Sequence, residues 1–173
     1  MDTRTPPSLP PLLGRGELPP VQVSNPDGPS PFLLVCEHAG NTIPATLDAL
    51  GLPDDERVRH IAWDTGAAAV AKGISDALDA PLFLQPYSRL VIDCNRPWDA
   101  QTLIPQVSDG TEVPGNSGLD DAQRRQRWDV VHQPFHTAIA QALDQRPLRA
   151  LVTVHSFTPV LRSRASRLLT RTS

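Results

Sequence analysis

The chain has 173 residues, 39% of them hydrophobic and 20% charged, with a formal net charge of −3. This is the make-up of one globular domain with a single sizeable core, and the mild acidity removes the electrostatic ground for binding nucleic acid or an anionic membrane. The opening MDTRTPPSLPPLLGRGELPP holds no signal-like apolar stretch, and no run approaches the length of a membrane span, so the expected location is the cytoplasm.

Residues 1–30 are rich in proline. Proline fixes φ and lacks an N–H, so this leader is expected to be extended or partly disordered and wrapped loosely over the domain. Within it, VQV (21–23) could form an edge strand. FLLVCEH (32–38) is a continuous apolar run, the pattern of a strand covered on both faces. It runs into Glu37 and His38 and turns at once through Ala39, Gly40 and Asn41. Residues 45–50 read as a short helix, and DDERVRHIA opens with acidic residues that favour a helix N-terminus. WDTGAAAVAKGISDALDA (63–80) has small and apolar residues at helical spacing, with Asp64 in the N-cap position.

PLFLQPY (81–87) and SRLVIDC (88–94) read as strands, and LIPQVSDGTEVPGNSG (103–118) as a long polar loop of the kind that binds ligands. DDAQRRQRWDVVHQPFHTAIAQALDQ (120–145) reads as a long helix that kinks or breaks at Pro134. LRALVTVHS (148–156) is a further strand, ending in His155. Strands alternating with helices predict an α/β fold, a mixed and mostly parallel sheet flanked by helices. Ligands in such sheets gather at the carboxyl ends of strands, which is where LLVCEH and LVTVHS deliver His38 and His155.

Catalytic zinc takes three protein ligands and keeps one position open. His38 and His155 supply two, and Asp64 is the candidate third, with an ordinary N-cap as the alternative. Glu37 competes as a carboxylate, but neighbours along a strand point to opposite faces, so Glu37 and His38 are not expected to share one ion. His132 and His136 have the spacing of a helical metal pair, yet the Glu of HExxH is absent and Pro134 falls between them. In YSRLVIDCNRP (87–97), Arg89, Asn95 and Arg96 are candidates for holding a substrate carboxylate, since guanidinium and amide donors match its geometry; a surface ion pair with Asp93 or Asp99 is the alternative for Arg96. Cys36 and Cys94 lie in or just after apolar runs, where free Cys behaves as a buried hydrophobe. A nucleophilic Cys36 beside His38 or His155 is the less favoured reading.

CEHAGNTIP, IAWDTGA, YSRLVIDCNRP, PFH and VTVHSFTPV, in that order, resemble the N-formylglutamate amidohydrolase family over roughly residues 31–160. The resemblance implies a zinc-dependent amide hydrolase with a fold related to zinc carboxypeptidases and aspartoacylases. It also implies the reaction of N-formyl-L-glutamate with water to give formate and glutamate, a late step in histidine breakdown. It makes His38 and His155 metal ligands with Asp64 as the third, and Asn95 and Arg96 the binders of a small acidic N-acyl amino acid. It gives His136 a place in the site without a role, and leaves His132 incidental. Glu37 and His136 remain the candidates for the general base. Zinc carboxypeptidases carry H-x-x-E, whereas here the fourth position is Asn41.

The family pattern continues past VTVHSFTPV through more strands and a further Glu. Residues 161–173 read instead as a basic tail, LRSRASRLLTRTS from its first Leu, so the fold is expected to be incomplete at the C-terminus, with an uncovered sheet edge. Two alternatives follow: a metal- and carboxylate-binding remnant without turnover, and a cysteine-dependent amidase.

Overall fold

The computed structural model describes residues 9–159. The basic tail read over 161–173 lies outside the described residues.

FLLVC forms strand β2 (Phe32–Cys36) at the centre of a four-stranded sheet. Its side chains alternate between two apolar layers. Leu33 and Val35 enter the larger core, while Leu34 and Cys36 face a second cluster. That double burial is why the run is apolar without a break. Strand β1 (Gln22–Ser24) pairs antiparallel with β3 (Leu82–Leu84), which runs parallel to β2. The strand that closes the described sheet, Ala150–Thr153, lies parallel to β2 on its other side. The sheet is therefore mixed and mostly parallel, as the alternation of elements predicts.

Helix α2 (Ala67–Leu78) covers one face. Ala67, Ala71 and Ser75 are its buried residues, and small side chains let it lie close to Leu34, Cys36 and Leu82. The other face is covered by α4 (Gln133–Gln145), which buries Phe135 and Ile139. The long helix expected over 120–145 begins as α3 (Asp121–Arg127), capped by Asp120 in a capping box with Gln123. Trp128–His132 then widens to a π-turn, with Gln133 N–H donating to Trp128 C=O, and α4 carries Pro134 in its first turn. Proline has no N–H to offer, so the ladder changes register there.

Three expectations are corrected. SRLVIDC is not a strand. Leu90, Val91, Ile92 and Cys94 are buried in the larger core, but as a turning segment in which Val91 N–H donates to Ser88 C=O. Its carbonyls find side chains instead of a neighbouring strand: Asn116 Nδ2 donates to Leu90 C=O, and the buried Arg127 guanidinium to Val91 C=O. The 103–118 segment is not a plain loop. It contains a hairpin of β4 (Val107–Ser108) and β5 (Thr111–Glu112), numbered before the closing strand β6 (Ala150–Thr153). Both of its turn residues, Asp109 and Gly110, have positive φ, 45° and 81°, as tight two-residue hairpins require. Finally, the leader from residue 9 is not a loose wrap. Leu12 is buried in the core, and Thr46 Oγ1 and Tyr87 OH donate to the carbonyls of Leu12 and Leu18 at 2.6 Å each.

β6 ends the described sheet, and Leu151 and Val152 on it are 46% and 36% exposed. Among the described residues no helix is long and apolar enough to cross a membrane.

The turn after β2 depends on a close approach. A Cβ on Gly40 would stand 2.2 Å from the Pro86 carbonyl oxygen, inside the backbone pairing of Gly40 N–H with Gln85 C=O. Gly40→Ala should destabilise the fold by about 1–3 kcal/mol, the usual cost of overpacking, read as a lower urea midpoint. An unchanged midpoint would show that this turn yields without cost.

Candidate active site

Parallel pairing of β2 with β6 sets the site. Val35 lies opposite Thr153, so two residues further on Glu37 meets His155, with Oε2 to Nε2 at 3.4 Å. β2 stops at Cys36, and the chain turns through Glu37 and His38. That turn releases the two residues from strict alternation and lets both point into one region. Asp64 arrives from the segment before α2, its backbone N–H bonded to His38 C=O at 3.0 Å.

One carboxylate oxygen collects the site. Asp64 Oδ2 lies 2.8 Å from His155 Nδ1, 3.4 Å from His38 Nδ1, and accepts from the Ser156 N–H at 3.3 Å. Each histidine has a second carboxylate behind it: Asp93 Oδ1 lies 2.7 Å from His38 Nε2, and Glu37 Oε2 faces His155 Nε2. Arg89 ties the two aspartates, with Nη2 to Asp93 Oδ2 at 2.7 Å and Nη1 to Asp64 Oδ1 at 3.7 Å. The ligand atoms of His38, Asp64 and His155 all lie within 4.8 Å of one another.

Burial works against ionising Asp64, but hydrogen bonds from His38 and His155, the charge on His38 and the Ser156 amide outweigh it and hold the carboxyl below its usual range. The same contest at Asp93 is won by His38, Arg89 and the Asn95 amide, which bring it down to about 2. His38 is pulled down by its burial, yet its bonds to the two aspartates prevail and raise it. The chain thus presents two fixed carboxylates around the imidazoles, with the outer nitrogen of His38 bonded to Asp93 and that of His155 facing Glu37.

Those donors fit a zinc ion. Two imidazole nitrogens and a carboxylate oxygen are the borderline ligands zinc takes, and a carboxylate behind each imidazole is the arrangement that orients metal-bound histidines. The sequence model of the N-formylglutamate amidohydrolase family matches residues 30–170. The chain belongs to this family. Its structure is similar to that of gene product Atu2144 from Agrobacterium tumefaciens, at 40% sequence identity and a TM-score of 0.84 over 86% of this chain. The match spans 61% of the Atu2144 chain. No curated protein matches.

The candidate site residues divide in space. His38, Asp64 and His155 come together, which overturns the N-cap alternative for Asp64: α2 starts after Gly66, with no side-chain cap. A cavity of about 460 Å³ opens beside them, lined by His60, Asp64, Thr65, Arg89, Ser156, Phe157 and Thr158. Arg89 is in its wall. Asn95 and Arg96 are not; both are exposed, and Arg96 Nη1 reaches only the Asn95 carbonyl, at 3.5 Å. The Asn41 amide is directed away, to the Arg57 carbonyl.

His136 does not join the cluster either, because its Nε2 donates to Cys94 C=O at 2.8 Å. His132, read as incidental, has a structural task. It stacks on Trp128 with centroids 3.7 Å apart and donates from Nε2 to Arg96 C=O at 3.0 Å. The two helical histidines therefore pin the carbonyls on either side of Asn95. His60 was missed altogether by sequence reasoning. Its signal was its place four residues before Asp64 in HIAWD, one helical turn away, on a segment that turns out not to be helical.

Burial pushes the Cys36 thiol up to about 12 and raises Cys94 as well, so neither is a thiolate at neutral pH. A thiol-alkylating reagent should leave both unmodified in the native chain, as read by intact mass; rapid labelling of Cys36 would revive the cysteine amidase. A second expectation concerns His132. Burial and its neighbour His136 lower it from 6.5 to about 4, against the pull of Arg96 C=O and Asp93. The unfolded chain takes up this proton near pH 6.5 and the folded chain only near pH 4, so the contribution is complete above pH 6.5 and is lost as pH falls toward 4. Over that window the native chain should lose on the order of 1–3 kcal/mol more stability than His132→Asn. Parallel urea-midpoint profiles would contradict it.

Proposed function

We propose that this chain is a zinc-dependent amide hydrolase that acts on a small acidic N-acyl amino acid, with N-formyl-L-glutamate giving formate and L-glutamate. One observation carries the reading: the inner nitrogens of His38 and His155 converge on Asp64 Oδ2 beside a cavity with Arg89 in its wall. When bound, zinc supplies Lewis acidity, which polarises an amide carbonyl and makes water a stronger nucleophile.

The chain's own residues do the rest. Asp64, His38 and His155 hold the ion. Asp93 fixes the His38 ring through its bond to Nε2, and Glu37 lies 3.4 Å from His155 Nε2, so that Nδ1 of each ring faces Asp64. Arg89, braced by Asp93, offers guanidinium N–H groups to a substrate carboxylate, and the fixed orientation lowers the entropy cost of reaching the reactive geometry. Glu37 is not assigned to proton transfer, since its carboxylate is buried and does not line the cavity; its Oε2 faces His155 Nε2 at 3.4 Å without a hydrogen bond.

A second reading rests on a different observation. Among the described residues lining the cavity, Asp64 is the sole carboxylate, and a carboxylate that holds the metal is not free to act as base. On that reading the chain binds zinc and acidic acyl amino acids without turnover.

Formate release from N-formyl-L-glutamate, with zinc and after chelation, separates the two. The hydrolase reading expects turnover that a chelator abolishes and zinc restores, with Asp93→Asn weakening zinc affinity roughly 10- to 100-fold through loss of its hold on His38. Zinc binding with no formate release would favour the second reading, and turnover indifferent to chelation would overturn both.

A further inference from the structure

The cavity wall contains a basic side chain besides Arg89, set against a polar cluster. His60 lines the cavity. Its Nε2 is buried, makes no hydrogen bond and lies 3.2 Å from Asp109 Oδ2, while the side chain keeps 33% of its surface exposed. The exposed part of the ring is therefore elsewhere, and Nδ1 is the ring's remaining polar atom. Asp109 is 4% exposed and is brought there by the β4–β5 turn. Arg59 fastens that hairpin. Its Nη2 contacts Asp109 at 3.2 Å and its Nη1 contacts Thr111 Oγ1 at 2.7 Å, with Glu56 accepting from Thr111 Oγ1 at 2.7 Å. Neither the hairpin nor α1 (Asp54–Arg57) joins the main sheet. What this polar cluster ends on is the one imidazole at the cavity.

Arg89 alone is poorly placed to meet an acidic ligand, because it is already shared between Asp93 and Asp64. A carboxylate entering the cavity would also face the negative charge of Asp64. A second donor offsets that repulsion, and His60 is the other basic group in the described cavity wall. Asp109 Oδ2 stands 3.2 Å from Nε2 and leaves Nδ1 as the nitrogen that can meet a ligand.

We infer that His60, backed by Asp109, is a specificity-determining residue that pairs with Arg89 to receive the side-chain carboxylate of the ligand. The inference rests on the reading of the cavity as a substrate site given under Proposed function. It goes further by assigning recognition of the acidic group to His60 in place of Asn95 and Arg96.

The test compares the native chain with His60→Gln and Asp109→Asn, on N-formyl-L-glutamate and on N-formyl-L-glutamine, which keeps the α-carboxylate and replaces the side-chain carboxylate by a neutral amide. Zinc content and thermal midpoint are measured for each. The native chain should prefer the acid, and the ratio of the two kcat/KM values should fall tenfold or more in His60→Gln, through KM, and by a smaller factor in Asp109→Asn. Equal falls on both substrates, or an unchanged ratio, would overturn the inference. Should the chain turn over neither substrate, the hydrolase reading fails by itself and calorimetry with L-glutamate decides the question for His60. Binding to the zinc-loaded native chain that weakens tenfold or more in His60→Gln, at equal zinc content, supports it. Equal binding in both, or none in the native chain, overturns it.

Discussion

The site hangs on one oxygen. Asp64 Oδ2 receives His155, His38 and the Ser156 amide, and those three partners come from the ends of two parallel neighbours, β2 and β6. The arrangement works only if the strands are in the observed register, because a slip of one residue would turn every side chain to the opposite face. Register is held in turn by the apolar layers: Leu33 and Val35 on one side, Leu34 and Cys36 on the other. Hydrophobic burial thereby fixes polar geometry. A buried set of three carboxylates and two imidazoles is costly to desolvate, and it persists here because nearly every member has an opposite partner.

Around that centre the structure uses side chains where a regular fold would use strands. The segment after Tyr87 is apolar enough to be a strand, yet it turns, and Asn116 and Arg127 satisfy its carbonyls. The turn is what puts Arg89 and Asp93 at the cluster: a strand would have carried residues four apart some 13 Å from each other, whereas here both contact the same carboxylate–imidazole group. His132 and His136 brace the next stretch from outside, by the carbonyls of Arg96 and Cys94.

What was legible in the sequence follows from these facts. Period and apolar content revealed β2, β6 and α2, and Pro134 revealed the break in the long helix, because each is decided by local pattern. Strand ends in a parallel sheet are where ligands collect, so the meeting of His38 and His155 was readable, and Asp64 was a candidate third partner from its place at a helix start. The fate of SRLVIDC was not readable, since a short apolar run looks the same whether it pairs with a strand or is buried as a turn. Asn95 and Arg96 looked like carboxylate binders by chemistry, and only the turn at Asp93 shows them facing outward. The hairpin at Asp109–Gly110 did have a local signal, the Asp-Gly pair, but its meaning lies in the contact with His60, 49 positions away in sequence. Long-range contacts of that kind leave no mark in spacing.

The account stands on the inner nitrogens of His38 and His155 being the ones offered to a metal, with the outer nitrogen of His38 held by Asp93 and that of His155 turned toward Glu37. Long-range nitrogen–proton NMR of the imidazole rings, before and after one equivalent of zinc, tests this directly. The account predicts that Nδ1 of both rings moves to the metal-bound range while Nε2 stays protonated. Coordination through Nε2, or rings that do not respond to zinc, would contradict it.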